Sequence, residues 1–240
     1  NTRSELNVEI SDRDILEHIK YLSSDELEGR YPGSKGSDLA IDYIATDYKR
    51  SRLSPLGSDN YLQFFDFTNQ KGEKIRVPNV VGMIPGTNLK KEYIVIGAHF
   101  DHLGYGGAHS GSLDMNSSAK HNGADDNASG TAGLMEIAEY LADLNDKGKL
   151  PIKRSAIFAA WSGEELGLLG SSHYVRANAK MFFADEDAKL DKLFAAALNM
   201  DMIGRFENKL VLQGVGSSSI WPAEIEKRNA PIGLPITCLL

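Results

Sequence analysis

The chain has 240 residues, 42% of them hydrophobic and 25% charged, which is enough for one sizeable apolar core. Its net charge is −7 and it has no long basic run, so it lacks the electrostatic footprint of a nucleic-acid binder. No apolar stretch approaches the roughly 18 residues that mark a membrane span, and the single cysteine, Cys238, excludes an internal disulfide and a cysteine-built metal cage.

From the amino terminus, SDRDILEHIKYLS (11–23) sets Ile15, Ile19 and Leu22 on one face, with Ser11 and Asp14 as start signals, and predicts an amphipathic helix. SSDELEGRYPGSKGS is dense in turn formers and predicts a loop. Leu39, Tyr43, Ile44 and Tyr48 predict a second helix over 37–52. Three β-like runs follow: YLQFFDF, VPNVVGMI and YIVIGAHF. Helical spacing returns at Leu134, Ile137, Ala138 and Leu141, after SGTAG. SAIFAAW predicts a buried strand and GLLGSSHYVRAN a helix. LFAAALNM predicts another buried strand, KLVLQG a further one, and residues 218–228 a last helix.

Apolar strands alternating with helices predict an α/β fold, with a mixed, largely parallel central sheet covered by helices on both faces. There is no internal repeat, and only about ten residues separate YLQFFDF from VPNVV, too few for an inserted domain. The chain therefore reads as one domain over residues 1–240.

In such sheets ligands bind outside the carboxyl ends of the strands. His99 and Asp101 follow YIVIGA, Glu164 and Glu165 follow SAIFAAW, and Asp201 follows LFAAALNM. A fourth cluster, Asp125, Asp126 and Asn127 in GADDNASG, precedes the helix carrying Leu134. Each piece alone has a plainer reading: a polar strand end, a helix cap or a solvated charge pair. Together they bring one imidazole and several carboxylates, with no thiolate, to one edge. That donor set suits zinc or a similar divalent ion. A shared carboxylate permits a two-metal site, and one glutamate of the pair can bind metal while its neighbour stays free as a general base. Residues two apart on an extended chain share a face, so Asp101 can support the His99 ring.

Taken in order, H-x-D, GADDN-x-SG, GEELGLLGS and NMDMIGR resemble the co-catalytic dizinc aminopeptidase family. That family includes bacterial leucyl aminopeptidases, carboxypeptidase Q, and the glutamate carboxypeptidase II and transferrin-receptor proteins. LSSDELEGRYPGSKG resembles the amino-terminal part of its secreted bacterial members, and the likeness runs over residues 16 to 215. It implies a zinc exopeptidase of phosphorylase/hydrolase-like fold, acting on peptides. His99 and Asp201 would be terminal ligands of one zinc, and Asp126, beside a cis peptide bond, would bridge both ions. Glu165 would be a terminal ligand of the other. Glu164 would be the general base, and Asp101 would orient His99. Secreted relatives imply an extracytoplasmic location after removal of a signal peptide.

One departure stands out. The family completes its second zinc with a histidine well beyond NMDMIGR, whereas all six histidines here are at or before His173. The chain stops in the apolar run PITCLL, as expected of a fold lacking its carboxyl-terminal segment. Within these residues only Asp126 and Glu165 then serve the second zinc, which is expected to be weakly held. His102, His109, His121 and His173 have no matching role and read as surface or loop histidines. The stretch GYGGAHSGSLDMNSSAKHN is expected to border the substrate cleft. Alternatives to an aminopeptidase are a carboxypeptidase or dipeptidase of the same family, a one-zinc glutaminyl cyclase of the same fold, and a non-catalytic binding module. The last is opposed by the presence of His99, Asp126, Glu165 and Asp201 and of the base, Glu164.

Overall fold

A computed structural model describes residues 9–69, 71–107, 111–149, 151–182 and 193–239. They form two compact units divided between Met202 and Ile203. The first unit opens with helix α1, Asp12–Leu22, where Ser11 Oγ accepts the Asp14 N–H at 3.2 Å and donates to the Asp14 carboxylate at 2.8 Å. This satisfies an otherwise orphaned donor of the first turn. Helix α2, Lys35–Arg50, is capped the same way by Ser34, whose Oγ accepts the Ser37 N–H at 3.1 Å.

Between the two helices, the expected loop is in part a tight 3₁₀ turn, Asp25–Arg30, that swings Glu28, Gly29 and Arg30 into left-handed backbone geometry. It carries the Arg30 side chain into the interior, where it is fully buried.

Ten strands are described. The central sheet is built from β1 (Ser54–Pro55), β2 (Leu62–Thr68), β3 (Lys74–Ile84), β4 (Leu89–His99), β7 (Arg154–Trp161) and β8 (Phe194–Asn199). β5 (Gly104–Tyr105) and β6 (Lys120–His121) form a small antiparallel pair apart from it. The path runs β1-β3-β7-β4-β8, with β2 also on β3. The sheet is mixed: β3 runs antiparallel to β1, β2 and β7, whereas β7, β4 and β8 are mutually parallel. The parallel half is the one that matters for the site, because its three strands end at the same edge.

Alternation along the strands sends side chains to both faces. Val80, Ile96, Ala98, Phe158 and Ala160 pack on one face, against Ile44 and Tyr48 of α2 and against Leu134 and Met135 of α3 (Gly130–Asp146). Val81, Ile157 and Ala159 pack on the other, against Tyr174 of α4 (Leu169–Phe182). Helices therefore cover both faces, as the sequence predicts. Phe158 is fully buried, so Phe158→Ala would cost about 3–5 kcal/mol through lost transfer energy and the cavity left behind.

The strand expected to be buried in LFAAALNM is different. β8 pairs only with β4 among the described residues, and most of its side chains are half-exposed or exposed. Among the described residues it lies at the edge of the sheet.

The second unit holds β9 (Leu210–Gln213), helix α5 (Trp221–Asn229) and β10 (Ile236–Leu239), which pairs parallel with β9. PITCLL thus carries a strand. Leu210, Leu212, Trp221 and Ile225 line an open apolar groove of about 370 Å³.

Candidate metal centre

The edge where β7, β4 and β8 end carries the clustered polar residues. β4 stops at His99, whose ring is buried and doubly held. Its Nδ1 lies 3.1 Å from the Asp101 main-chain carbonyl, and its own carbonyl accepts the Thr131 hydroxyl at 2.8 Å. A proton on Nδ1 serves that carbonyl bond and leaves Nε2 facing the cluster. There Nε2 meets Asp126 Oδ1 at 3.2 Å, Asp201 Oδ1 at 3.3 Å and Glu164 Oε2 at 3.9 Å.

Asp101 is fully buried. Its part is larger than orienting one ring. Its carbonyl takes the His99 contact, while its carboxylate accepts the main-chain N–H of Glu164 at 3.1 Å and of Glu165 at 3.3 Å. One aspartate thus ties the end of β4 to the turn after β7.

Asn127 ties the other two segments together. Its side-chain N–H donates to Met200 O at 3.0 Å, and its Oδ1 accepts Gly130 N at 3.0 Å and Met202 N at 3.1 Å. Asp126 and Asp201 are therefore fixed relative to each other by the residue after Asp126, and the Asp126–Asn127 peptide is cis, as the family resemblance implies. Gly130 is needed here, since a Cβ would sit 2.5 Å from both Asn127 Oδ1 and Met200 O. GADDN is more than a cap: Asn127 Oδ1 takes the N–H of Gly130, the first residue of α3, while Asp126 faces His99.

Beneath the cluster lies Arg30. Its guanidinium donates to Leu22 O, to Phe100 O at 2.7 Å, to Asn122 O at 2.8 Å and to Gly123 O at 2.9 Å. Burial lowers its pKa to about 10, against the pull of the Asp101, Asp126 and Glu165 charges. This residue was not singled out from the sequence; its only signal was a charged residue beside glycine in a turn-rich run.

The electrostatics follow from crowding. Burial opposes a charge on His99, but hydrogen bonds from Asp101, Asp126 and Asp201 outweigh it and push the imidazole up to about 12. The same bond from His99 holds Asp126 below the usual carboxylate range, against a smaller effect of burial. Glu164 is held above it, first by burial and also by Asp101, Asp201 and Glu165, with His99 opposing.

The other histidines separate clearly. His173 on α4 stacks on Phe65, ring centroids 5.3 Å apart, and has no part in the cluster. His121 on β6 lies edge-on to His102, 6.3 Å away. His109 lies outside the described residues. His102, read from the sequence as a loop histidine, is buried in the cluster: its Nδ1 is 2.7 Å from Glu165 Oε1 and 3.9 Å from Asp126 Oδ2. The clue was its place in H-x-D-H, one residue beyond the strand-end aspartate.

Two sets of donors result, His99 with Asp126 and Asp201, and His102 with Asp126 and Glu165, the atoms of each set lying within 4.8 Å of one another. Ligand atoms about 2.0–2.1 Å from a tetrahedral zinc stand roughly 3.3 Å apart. The His99 contacts at 3.2 and 3.3 Å match that spacing. Imidazole nitrogens and carboxylate oxygens are zinc donors, and the lone thiol, Cys238, is exposed on β10 of the second unit. Fold and donors together define an α/β protein with a carboxylate-rich centre suited to divalent metal at the carboxyl edge of its parallel strands.

Residues 79–235 match the model of peptidase family M28, and the chain belongs to that family. It is 27% identical over 187 residues to aminopeptidase YwaD of Bacillus subtilis (strain 168), a match covering 78% of this chain and 34% of that protein. It is 32% identical over 128 residues to a glutamate carboxypeptidase 2 homolog of Caenorhabditis elegans, covering 53% of this chain and 13% of that one. The chain thus spans about a third or less of the length of these relatives. Its fold is that of a Zn-dependent exopeptidase from Parabacteroides distasonis ATCC 8503, with a TM-score of 0.66 at 18% identity over 97% of this chain and 79% of that one. It is also that of Tannerella forsythia glutaminyl cyclase, with a TM-score of 0.69 at 17% identity over 96% and 77%.

Proposed function

We propose that the protein is a zinc-dependent aminopeptidase that hydrolyses the first peptide bond of peptides with a free amino terminus. The observation carrying this reading is the division of Asp126 between two donor sets with Glu164 alongside them. His99, Asp126 and Asp201 would hold one zinc, and Asp126 and Glu165 would serve a second. Zinc, when bound, supplies Lewis acidity towards the scissile carbonyl and the attacking water.

The proton work falls to Glu164, whose side chain is about a third exposed and keeps its carboxylate near the cluster. Deprotonated, it takes a proton from water as the oxygen adds to the carbonyl carbon. When the C–N bond breaks, the same carboxyl returns that proton to the departing amine nitrogen. Asp101 holds the main chain of Glu164 and Glu165, and so sets where the base stands.

Arg30 is not a recognition group for a substrate carboxylate. It is fully buried with its donors on main-chain carbonyls, so it is not free to hold a substrate carboxylate. Resemblance to secreted bacterial members supports an extracytoplasmic location. No helix among the described residues is long and apolar enough to cross a membrane.

The fold shared with glutaminyl cyclases gives the second reading. One panel separates them: peptides with a free amino terminus and amidated carboxyl terminus, N-acetylated peptides with a free carboxyl terminus, and peptides beginning with Gln. An aminopeptidase releases the first residue from the first group and leaves the acetylated group intact. Cleavage restricted to the acetylated group would instead mark a carboxypeptidase. Loss of ammonia from the Gln peptides without cleavage would mark a cyclase.

A further inference from the structure

The turn that carries Glu164 and Glu165 is closed on itself. The Gly170 N–H donates to Ser162 O at 2.9 Å and the Leu169 N–H to Gly163 O at 3.0 Å. Further in, the N–H groups of Gly167 and Leu168 reach Glu164 O at 2.8 and 2.9 Å. Asp101 holds the middle of this loop through the Glu164 and Glu165 N–H groups. Its neck, where residues 162 and 170 meet, is held from another strand.

The holder is Asn79 in β3. β3 runs antiparallel to β7 and pairs Val80 with Ala160, so Asn79 stands level with the carboxyl end of β7. Alternation sends its side chain to the face covered by α4, opposite the one taken by Val80. The residue is fully buried, and a buried amide costs free energy unless its hydrogen bonds are made. They are made on both sides of the neck. Oδ1 accepts the Ser162 N–H at 3.1 Å, and Nδ2 donates to Gly170 O at 2.9 Å. Nδ2 also donates to Gln63 Oε1 at 3.0 Å, from the β2 residue paired with Asn79. These partners fix the orientation of the amide, because a flip would set its oxygen against two oxygens. Gly170 leaves it room, since a Cβ there would collide with Asn79 Oδ1 and Ser162 O.

We infer that Asn79 is a positioning residue for the proposed base: it closes the neck of the 162–170 loop and so sets, together with Asp101, where the Glu164 carboxylate stands. This rests on the reading of Glu164 as the base. Asn79 acts through the loop alone, and Gln63 keeps its amide turned the right way. The rival role for Asn79 is packing, in which it fills its site without influence on Glu164.

A double-mutant cycle tests this on the full protein at matched zinc content, with Asn79→Ala, Glu164→Gln and the two combined. Asn79→Ala alone should lower kcat by about tenfold to a hundredfold, as a misplacement on the order of 1 Å at a catalytic group does, and leave KM nearly unchanged. In the Glu164→Gln background the same change should cost little more, because residues that act as a unit are not additive. An equal loss in both backgrounds, or none in either, means that Asn79 only packs; the inference falls and the base reading stands. Near-parental turnover in Glu164→Gln removes the base, and the inference with it. Hydrogen exchange of the metal-free protein gives a measure independent of turnover. In Asn79→Ala the Ser162 and Gly170 amides should lose protection by about tenfold, while the Phe158 amide keeps its own. Unchanged protection at 162 and 170 overturns the inference. If Asn79→Ala fails to fold, Gln63→Leu replaces it in both measurements. Gln63 is half-buried on β2 and supplies only the outer acceptor, so a smaller loss of the same kind is expected, and no loss overturns the inference.

Discussion

The Asp101 carboxylate accepts the Glu164 main-chain N–H at 3.1 Å, so the turn after β7 that carries the proposed base is held by an aspartate just past the end of β4. Asp101→Asn leaves the carbonyl contact to His99 and removes the charge. Burial, and then the charges of Asp101, Asp201 and Glu165, hold Glu164 above the usual carboxylate range. Deleting one of those charges lowers it. Because the base works deprotonated, the acid limb of the kcat/KM profile should move to lower pH while the plateau falls. An acid limb that stays in place or moves upward contradicts the electrostatic link.

Glu164→Gln keeps the shape of the side chain and removes the proton acceptor. Turnover should fall by about 10²–10⁴-fold. Zinc content, read by elemental analysis, should stay as in the parent, since Glu164 belongs to neither donor set. Near-parental turnover would remove Glu164 from the proposed chemistry.

Asp126→Ala and Asp201→Ala should differ in kind. Asp126 belongs to both donor sets and Asp201 to one. The first substitution should lower occupancy at both positions, whereas the second should weaken the His99 position and spare the other. Zinc titration of each variant distinguishes these outcomes, and two retained ions in Asp126→Ala would refute the shared role.

Metal uptake should be coupled to protons through His99. Burial disfavours the imidazolium, yet three carboxylates carry its pKa from 6.5 to about 12 in the metal-free cluster. A ligating imidazole is neutral, so near pH 7 zinc must displace close to one proton there. Affinity at the His99 position should then weaken about tenfold for each unit the pH falls. Calorimetry in two buffers of different ionisation enthalpy counts the proton directly. The stability sign for the metal-free fold follows from the same raised pKa: the contribution is fully present below pH 6.5 and is lost as pH rises through about 12.

Much of the cluster was legible because its polar residues sit where apolar runs stop. His99 ends YIVIGAH, Glu164 and Glu165 follow SAIFAAW, and Asp201 follows LFAAALNM, and the parallel pairing of β7, β4 and β8 brings those ends together. What the sequence hid depends on contacts between distant segments. The nearness of His102 to Glu165, 63 residues on, follows from β4 lying beside β7, which no local pattern encodes. Arg30 sits in a run whose Gly, Ser and Pro content reads as turn, and its burial comes only from carbonyls elsewhere in the chain. β8 differs for the opposite reason: an alanine-rich run looks enclosed, although among the described residues its side chains are largely exposed.

The four carbonyls gripped by Arg30 lie 8, 70, 92 and 93 residues away along the chain, at the end of α1, beside His99 and just before Asp126. The candidate metal centre is therefore not a detachable cassette spanning the loops of the cluster. It comes into being when the amino-terminal helices dock, and a cut between α1 and Arg30 would unfasten loops that carry none of the cut. Retained zinc accordingly reports the integrity of the first unit as a whole, and its release during unfolding should coincide with the loss of helical signal rather than precede it.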